Sequence, residues 1–162
     1  MENLRATITS GLTERYGTLA SRVRELAAPL TEEQFWQKPF PFGNSFGHLV
    51  LHLTGNLNYY IGAQMAETGY VRDRDREFTE TRHLPKEEVL KSFDEAIEMV
   101  LRAARAQSAE DWSESYSAVG AGNVGSRFHM VLKCAAHLDH HVGQMIYLCF
   151  ELSRPQAQHG FH

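Results

Sequence analysis

The longest helical pattern in the sequence lies near its C-terminal end, from about Val124 to Leu152. Apolar residues recur there at intervals of three and four, as they do on the buried face of an α-helix. This stripe consists of Val131, Ala135, Leu138, Val142, Met145 and Cys149. His137 and His141 lie one helical turn apart at the margin of the stripe, so a helix would direct both imidazoles inward from one face. The pattern therefore predicts a half-buried helix that carries a histidine pair.

Two imidazoles one turn apart commonly bind one transition-metal ion, and a third ligand must then come from elsewhere in the chain. His52, in a second apolar-periodic segment, is the candidate. Spacing alone leaves open a metal-free protein in which the histidines cap, face solvent or serve the packing. Buried polar groups need partners, however, and a metal supplies one for each imidazole. We therefore predict a site of His52, His137 and His141, with His48 and Cys134 as alternative or additional ligands.

Three further segments show helical periodicity, and together the four segments predict an all-α chain. The predicted helices run from Glu2 to Ala28, from Ser45 to Glu67, from Pro85 to Gln107, and from a cap at Asn123 or Ser126 to about Arg154. Short capped turns are predicted at Thr31 and Ser108. Four long amphipathic segments with one long crossover between the second and third favour a four-helix bundle. We expect a single domain over residues 1–154 and a loosely ordered polar tail over residues 155–162.

Two connections have unusual composition. Val71–His83 has mixed charge and no helical period, so we predict a solvated loop, with a lid or a subunit contact as alternatives, and no partner for His83. Ser113–Ser126 is rich in serine and glycine but lacks the G-x-x-x-x-G-K-[ST] arrangement of a phosphate-binding loop. We predict a flexible or hairpin-like connection there, near the mouth of the site.

Composition excludes several classes of function. The 162 residues carry a net charge of −4, which gives no general attraction to nucleic acid or anionic membranes. No signal peptide is indicated and no apolar run approaches the roughly 18–20 residues of a membrane span, so a cytoplasmic address is expected. Cys134 and Cys149 lie about 22 Å apart on one helix, too far for a disulfide, and are expected to be small core residues.

Two motifs resemble the DinB-like superfamily. His137 to Gln144 is similar to the H-x-x-H-H-x-G-Q pattern of the last helix in that family. Asn44 to Leu53 resembles its second helix, where a histidine before an apolar residue supplies the first ligand. The resemblance extends over most of the chain, to about Arg154. It implies a metal-binding four-helix bundle whose ligands are His52, His137 and His141.

The resemblance also implies a function, because this superfamily is related to bacillithiol- and mycothiol-dependent transferases. It implies an open site for a divalent transition metal, Zn or Ni, which holds a low-molecular-weight thiol as the thiolate that attacks an electrophile. It further implies a homodimer. The sequence identifies no catalytic residue, thiol or electrophile, and the Irving–Williams order does not let it choose the metal.

Two hypotheses for function follow. A metal-dependent thiol S-transferase, or a related small-molecule enzyme, requires an accessible metal face and a cavity between helices two and four near Ser113–Ser126. A non-catalytic metal-binding stress-response or interaction protein would instead have a closed metal site and an apolar dimer surface.

Around the site, Gln144 is expected to orient His141, while Asp139 and His140 point away toward the surface or an interface.

Overall fold

The computed structural model describes residues 2–154, and these residues form helices without any β-strand. The α-helices are α1 (Glu2–Ala27), α2 (Glu32–Trp36), α3 (Phe46–Leu57), α4 (Arg76–Thr79), α5 (Lys86–Ala106), α6 (Ala109–Ser113) and α7 (Arg127–Leu152). A π-helical segment, Asn58–Ala63, continues α3. The all-α prediction is confirmed. The predicted count of four helices is not, because these residues contain seven; the predicted tail, residues 155–162, lies outside them.

The four long helices enclose the core. Helix α1 packs against α5 and α7, and α3 packs against the same two helices. Each contributes at least one large and fully buried side chain, among them Tyr16, Phe46, Phe93 and Leu138. The buried Tyr16 hydroxyl donates a hydrogen bond to the Val131 carbonyl oxygen at 2.8 Å, so this polar group costs little in the core. This packing fixes α3 beside α7, the two helices that carry the candidate ligands.

Serine side chains set the first residues of these two helices. The Ser45 hydroxyl accepts a hydrogen bond from the His48 backbone N–H, and the Ser126 hydroxyl accepts one from the His129 N–H, each at 3.2 Å. Such caps satisfy backbone donors that have no partner inside the helix. The second helix is thus capped at Ser45, where it was predicted to begin, and the last helix uses Ser126 rather than Asn123. The register of both histidine-bearing helices is therefore fixed locally.

The continuation of α3 as a π-helix was not predicted. Single π-helical turns are rare in proteins, and those that do occur are often found at functional sites. The buried Tyr116 hydroxyl donates to the Tyr60 carbonyl oxygen at 2.7 Å, which anchors the connection between α6 and α7 against the π-helical segment. No strand forms in that connection, so the hairpin-like alternative for Ser113–Ser126 is wrong.

The connection before α5 differs most from its prediction as a solvated loop. It contains α4, and its Glu77 and Glu80 side chains are buried. His83, for which no partner was predicted, stacks on Trp36 with ring centroids 5.0 Å apart and an interplanar angle of 6°. Most of the other residues of the segment are exposed, and these two carboxylates can be buried because they pair with nearby cations and an imidazole.

Candidate metal centre

The structure brings His52, His137 and His141 together between α3 and α7. The Nε2 atoms of His52 and His137 are 2.9 Å apart, and the ring of His141 lies 5.1 Å from that of His52. Each of the three residues offers a ring nitrogen within 4.8 Å of the other two. Two imidazole nitrogens as close as those of His52 and His137 need a shared proton or a shared cation between them.

This group fits a transition-metal ion. Imidazole nitrogens bind Zn²⁺ at about 2.0–2.1 Å, so two of them on one tetrahedral ion lie roughly 3.3 Å apart. The 2.9 Å separation of the Nε2 atoms of His52 and His137 is close to that value, and His141 offers a ring nitrogen within 4.8 Å of both residues. Three neutral nitrogen donors also leave at least one position of a tetrahedral ion without a protein ligand.

Glu77 fixes the orientation and tautomer of His52. The Glu77 carboxylate lies 2.8 Å from His52 Nδ1, and because an ionised carboxylate only accepts, the Nδ1–H donates to it. The proton therefore resides on Nδ1, and the lone pair of Nε2 faces the other histidines. A carboxylate behind a ligating histidine is a common arrangement around protein-bound metals and increases the basicity of the imidazole.

Hydrogen bonds from Arg72 help to keep the Glu77 carboxylate ionised. Arg72 donates to both carboxylate oxygens, from Nε at 2.7 Å and from Nη2 at 2.8 Å. Burial alone would raise the pKa of Glu77, but the hydrogen bonds from Arg72 and His52 outweigh it, and the pKa is lowered. Glu77 is therefore ionised near neutral pH, as its role toward His52 requires.

The backbone of α3 makes room for this carboxylate at Gly55. A Cβ atom at Gly55 would lie 2.0 Å from Glu77 Oε1, far inside van der Waals contact. The carboxylate has little freedom to move aside, because Arg72 and His52 hold both of its oxygens. Glycine at this position thus permits the close approach of α4 to α3.

The two candidate ligands on α7, His137 and His141, are neutral at physiological pH. Burial, with the neighbouring His141 and His52, lowers the pKa of His137 to about 4. Burial also lowers the pKa of His141, against a hydrogen bond to Gln144 that raises it. His141 Nδ1 lies 2.7 Å from Gln144 Oε1, a carbonyl acceptor, so the proton is on Nδ1 and Nε2 has the free lone pair. Gln144 therefore occupies the orienting position that the sequence predicts.

The alternative ligands do not join the cluster. His48 is hydrogen-bonded at both ring nitrogens, with Nδ1 2.6 Å from the Ser45 hydroxyl and Nε2 2.9 Å from the Glu80 carbonyl oxygen. Cys134 is buried and lies outside the three-histidine group, and burial raises the pKa of its thiol to about 12. A thiol of that pKa behaves as a small apolar side chain rather than as a thiolate ligand.

The sequence matches the DinB superfamily over residues 15–145, a range that contains all three histidines. The chain belongs to the DinB superfamily. No curated protein matches it. Among residues 2–154, no helix combines the length and the apolar composition that crossing a bilayer requires.

A cavity of about 510 Å³ adjoins the histidines of this DinB-superfamily chain. Its walls come from α3 with the π-helical segment, from α7, and from the two connections of unusual composition. The lining residues are His52, Asn56, Tyr60, Arg72, Arg74, Gly120, Ala121, Met130, Lys133, Cys134 and His137. The Ser113–Ser126 connection thus reaches the site through Gly120 and Ala121, as expected of a segment near its mouth.

Sequence reasoning missed the part of the site that comes from the connection before α5. Arg72 and Glu77 lie in a run of alternating charges, and nothing in that run distinguishes the inward-facing residues from their neighbours.

The surface residues of the histidine motif were predicted correctly. Asp139 is exposed and pairs with Arg15 at 2.8 Å, and His140 is also exposed.

Proposed function

We propose that this DinB-superfamily protein binds one divalent transition-metal ion, Zn or Ni, and uses it for chemistry on small molecules, with thiol S-transfer as the reaction. The observation that carries the proposal is the group of His52, His137 and His141 beside a cavity. A purely structural role for the histidines would not require an adjoining cavity of about 510 Å³.

Each residue of the site has a distinct role in this proposal. His52, His137 and His141 would hold the ion through ring nitrogens, and burial keeps His137 and His141 neutral, as their lowered pKa values indicate. Glu77 and Gln144 orient the rings of His52 and His141 and keep their protons on Nδ1. When bound, such an ion would lower the pKa of a thiol or water in its open position and so supply a nucleophile at neutral pH.

The adjoining cavity supports an enzyme over a closed structural site. Its volume lies within the range of about 300–1,000 Å³ that is typical of pockets for small ligands. A closed structural site has four protein ligands, and here the described residues supply three. The low-molecular-weight thiol as cosubstrate is an inference from the superfamily, and the electrophile remains to be identified.

A cobalt-substituted protein tests this proposal. Thiols that bind Co²⁺ produce an intense sulfur-to-metal charge-transfer absorption, so adding mercaptoethanol to the loaded protein should generate such a band. The variant His52→Ala/His137→Ala should bind no cobalt at the site and show no band. Turnover is then assayed with a thiol and a chromogenic aryl halide. Cobalt binding without a thiol band would exclude the thiol chemistry and retain only metal binding.

A non-catalytic metal-binding homodimer is the second candidate, supported by an exposed apolar surface. Tyr147 and Phe150 lie on one face of α7 with exposed fractions of 74% and 69%, and Phe42 is 75% exposed. Large exposed apolar groups of this kind often mark contacts with another protein. Light scattering of the wild type and of Tyr147→Glu/Phe150→Glu tests it, since a dimer built on this surface should dissociate in the variant.

A further inference from the structure

The cavity beside the histidines carries a local positive charge. The lining residues with a permanent charge are Arg72, Arg74 and Lys133, and none of the lining residues is acidic. The whole chain has a net charge of −4, so this sign is opposite to that of the molecule. A concave wall of one sign concentrates its field inside the cavity and attracts ligands of the other sign.

Two of these cations have no carboxylate partner within residues 2–154. Arg72 is neutralised by Glu77, whereas Lys133 Nζ donates to the uncharged Ala121 carbonyl oxygen at 2.5 Å. The Arg74 guanidinium lies 5.5 Å from the centre of the Phe78 ring. Lys133 and Arg74 are both exposed at the rim, so their charges are available to a ligand that enters.

A buried polar group also lines the cavity without a partner. Asn56 is 7% exposed, and its Oδ1 atom has no hydrogen-bond partner. Leaving such a group unpaired destabilises the folded state. Its place in the wall of the cavity explains why the cost is tolerated, because a ligand there can supply the missing hydrogen bond.

These groups lie at a defined distance from the candidate metal ligands. Asn56 follows His52 by one turn of α3, and Lys133 precedes His137 by one turn of α7. One helical turn advances about 5–6 Å along the axis. The charged and polar groups are therefore displaced from the histidines by a length that suits a small molecule with two functional ends.

We propose that this cavity binds a small molecule that carries an oxyanion, a carboxylate or a phosphate, which Lys133 and Arg74 hold while its other end reaches the metal. The inference rests on the proposed function and adds the chemical class of the ligand. Charge-assisted hydrogen bonds from Lys133 and Arg74 would bind the oxyanion, and Asn56 would hydrogen-bond the segment between the two ends. A neutral ligand would leave Lys133 and Arg74 without an anionic partner.

Matched pairs of thiols test the charge preference. Mercaptopropionate is compared with mercaptopropanol, which has the same length but no charge, and phosphopantetheine is compared with pantetheine. Affinity is measured from the charge-transfer band of the cobalt-loaded protein. We expect the charged member of at least one pair to bind about tenfold or more tightly, and the pair that shows this identifies carboxylate or phosphate as the preferred oxyanion.

Variants locate the preference in the cavity. In Lys133→Gln and Arg74→Gln, the preference for the anionic thiol over the neutral member of its pair should fall severalfold. Lys91→Gln is the matched control, because Lys91 is exposed on α5 and pairs with Glu95 at 3.9 Å. Cobalt content is measured for every variant, so that a loss of metal is not mistaken for a loss of ligand.

The outcomes separate this proposal from the metal proposal. Equal affinity for both members of both pairs, or a preference that Lys133→Gln and Arg74→Gln leave intact, would overturn the anionic ligand and leave metal binding standing. If the protein takes up no metal, saturation-transfer NMR of the metal-free protein with propionate and propanol replaces the optical assay. Selective binding of propionate that is lost in Lys133→Gln supports the cavity, and no selectivity overturns it.

Discussion

At the scale of single residues, the site depends on where one proton resides. His52 can offer Nε2 to a metal only while its Nδ1–H donates to Glu77, 2.8 Å away. Glu77 in turn stays ionised because Arg72 binds both of its oxygens. This chain of hydrogen bonds connects a ligand on α3 to the segment around α4. The effect of this chain on metal affinity can be measured by replacing Glu77 with glutamine, because a neutral amide orients the imidazole less strongly.

Glu77→Gln should weaken metal binding by about 10- to 100-fold, the usual effect of altering a group that supports a ligating histidine. Metal affinity is measured by competition with a chromophoric chelator. Glu95→Gln is the control, since Glu95 is an exposed acid on α5. Unchanged affinity in Glu77→Gln, with a normal fold by circular dichroism, would show that Glu77 does not act through His52.

Asn56→Leu should stabilise the metal-free protein by about 1 kcal/mol, because it removes a buried acceptor that has no partner. The same change should weaken the binding of pantetheine and phosphopantetheine alike, because it removes the acceptor for the segment between their two ends. Urea denaturation of both proteins measures the stability, and Asn58→Leu, at a half-buried neighbouring position, is the comparison. A large loss of stability in Asn56→Leu would mean that Asn56 is satisfied in solution and structural.

As the pH decreases, the protein should lose stability in part because of His48. Burial, with Lys38 and His83 nearby, lowers the pKa of His48 against the opposing effect of Glu80 and its carbonyl oxygen. The unfolded chain therefore binds a proton below about pH 6.5 while the native His48 does not, so stability is lost as the pH falls through that value.

His48→Gln removes this titration and retains a donor for the Glu80 carbonyl oxygen, 2.9 Å from His48 Nε2 in the native protein. We expect the free energy of unfolding, measured by urea denaturation between pH 5 and pH 8, to depend less on pH in the variant than in the wild type. Parallel curves would refute the assignment to His48.

The residues found from sequence alone are those with a spacing signal. The interval between His137 and His141 predicts a shared helical face, and Gln144 follows on the same face. Glu77, Arg72 and Lys133 have no such signal. An acidic residue within alternating charges has the same local sequence pattern whether it is solvated or buried. The tertiary position of α4 determines which of these residues is buried.

At the scale of elements, the contact between α3 and α4 determines how Glu77 reaches His52. Gly55 allows this contact, since a Cβ atom there would lie 2.0 Å from the carboxylate. Gly55→Ala should therefore displace Glu77 and weaken metal binding, even though alanine favours a helix more than glycine does. Metal affinity and thermal stability are measured together.

Gly11→Ala in α1 is the matched control. Gly11 is exposed, and a Cβ atom there meets nothing within 4 Å. This variant should gain up to about 1 kcal/mol of stability and bind metal normally. If Gly55→Ala behaves in the same way, α4 does not press its carboxylate against α3 as described.

Sequence periodicity located the long helices to within a few residues, because each has an apolar stripe and because α3 and α7 begin at serine caps. It could not reveal that α3 continues as a π-helical segment, since the apolar pattern there is the same for both helix types. Nor did it show α4, which has four residues and no apolar period of its own. Short elements of this kind form because tertiary contacts satisfy their polar groups.

At the scale of the whole molecule, the candidate site exists only where two long helices meet. His52 lies 85 positions before His137, and the packing of α3 against α7 brings their nitrogens to 2.9 Å. The all-α class and the meeting of the three histidines could be anticipated because periodicity and the histidine motif agree. The cavity and its positive wall could not, because they arise from side chains of four separate segments.

Elemental analysis is the direct test of whether His52, His137 and His141 bind one metal ion. Protein purified without a histidine tag should contain about one equivalent of a transition metal per chain. The folded variant His52→Ala/His137→Ala should contain none. Wild-type protein that is free of metal, and that takes up neither Zn nor Ni when these are offered, would contradict the account.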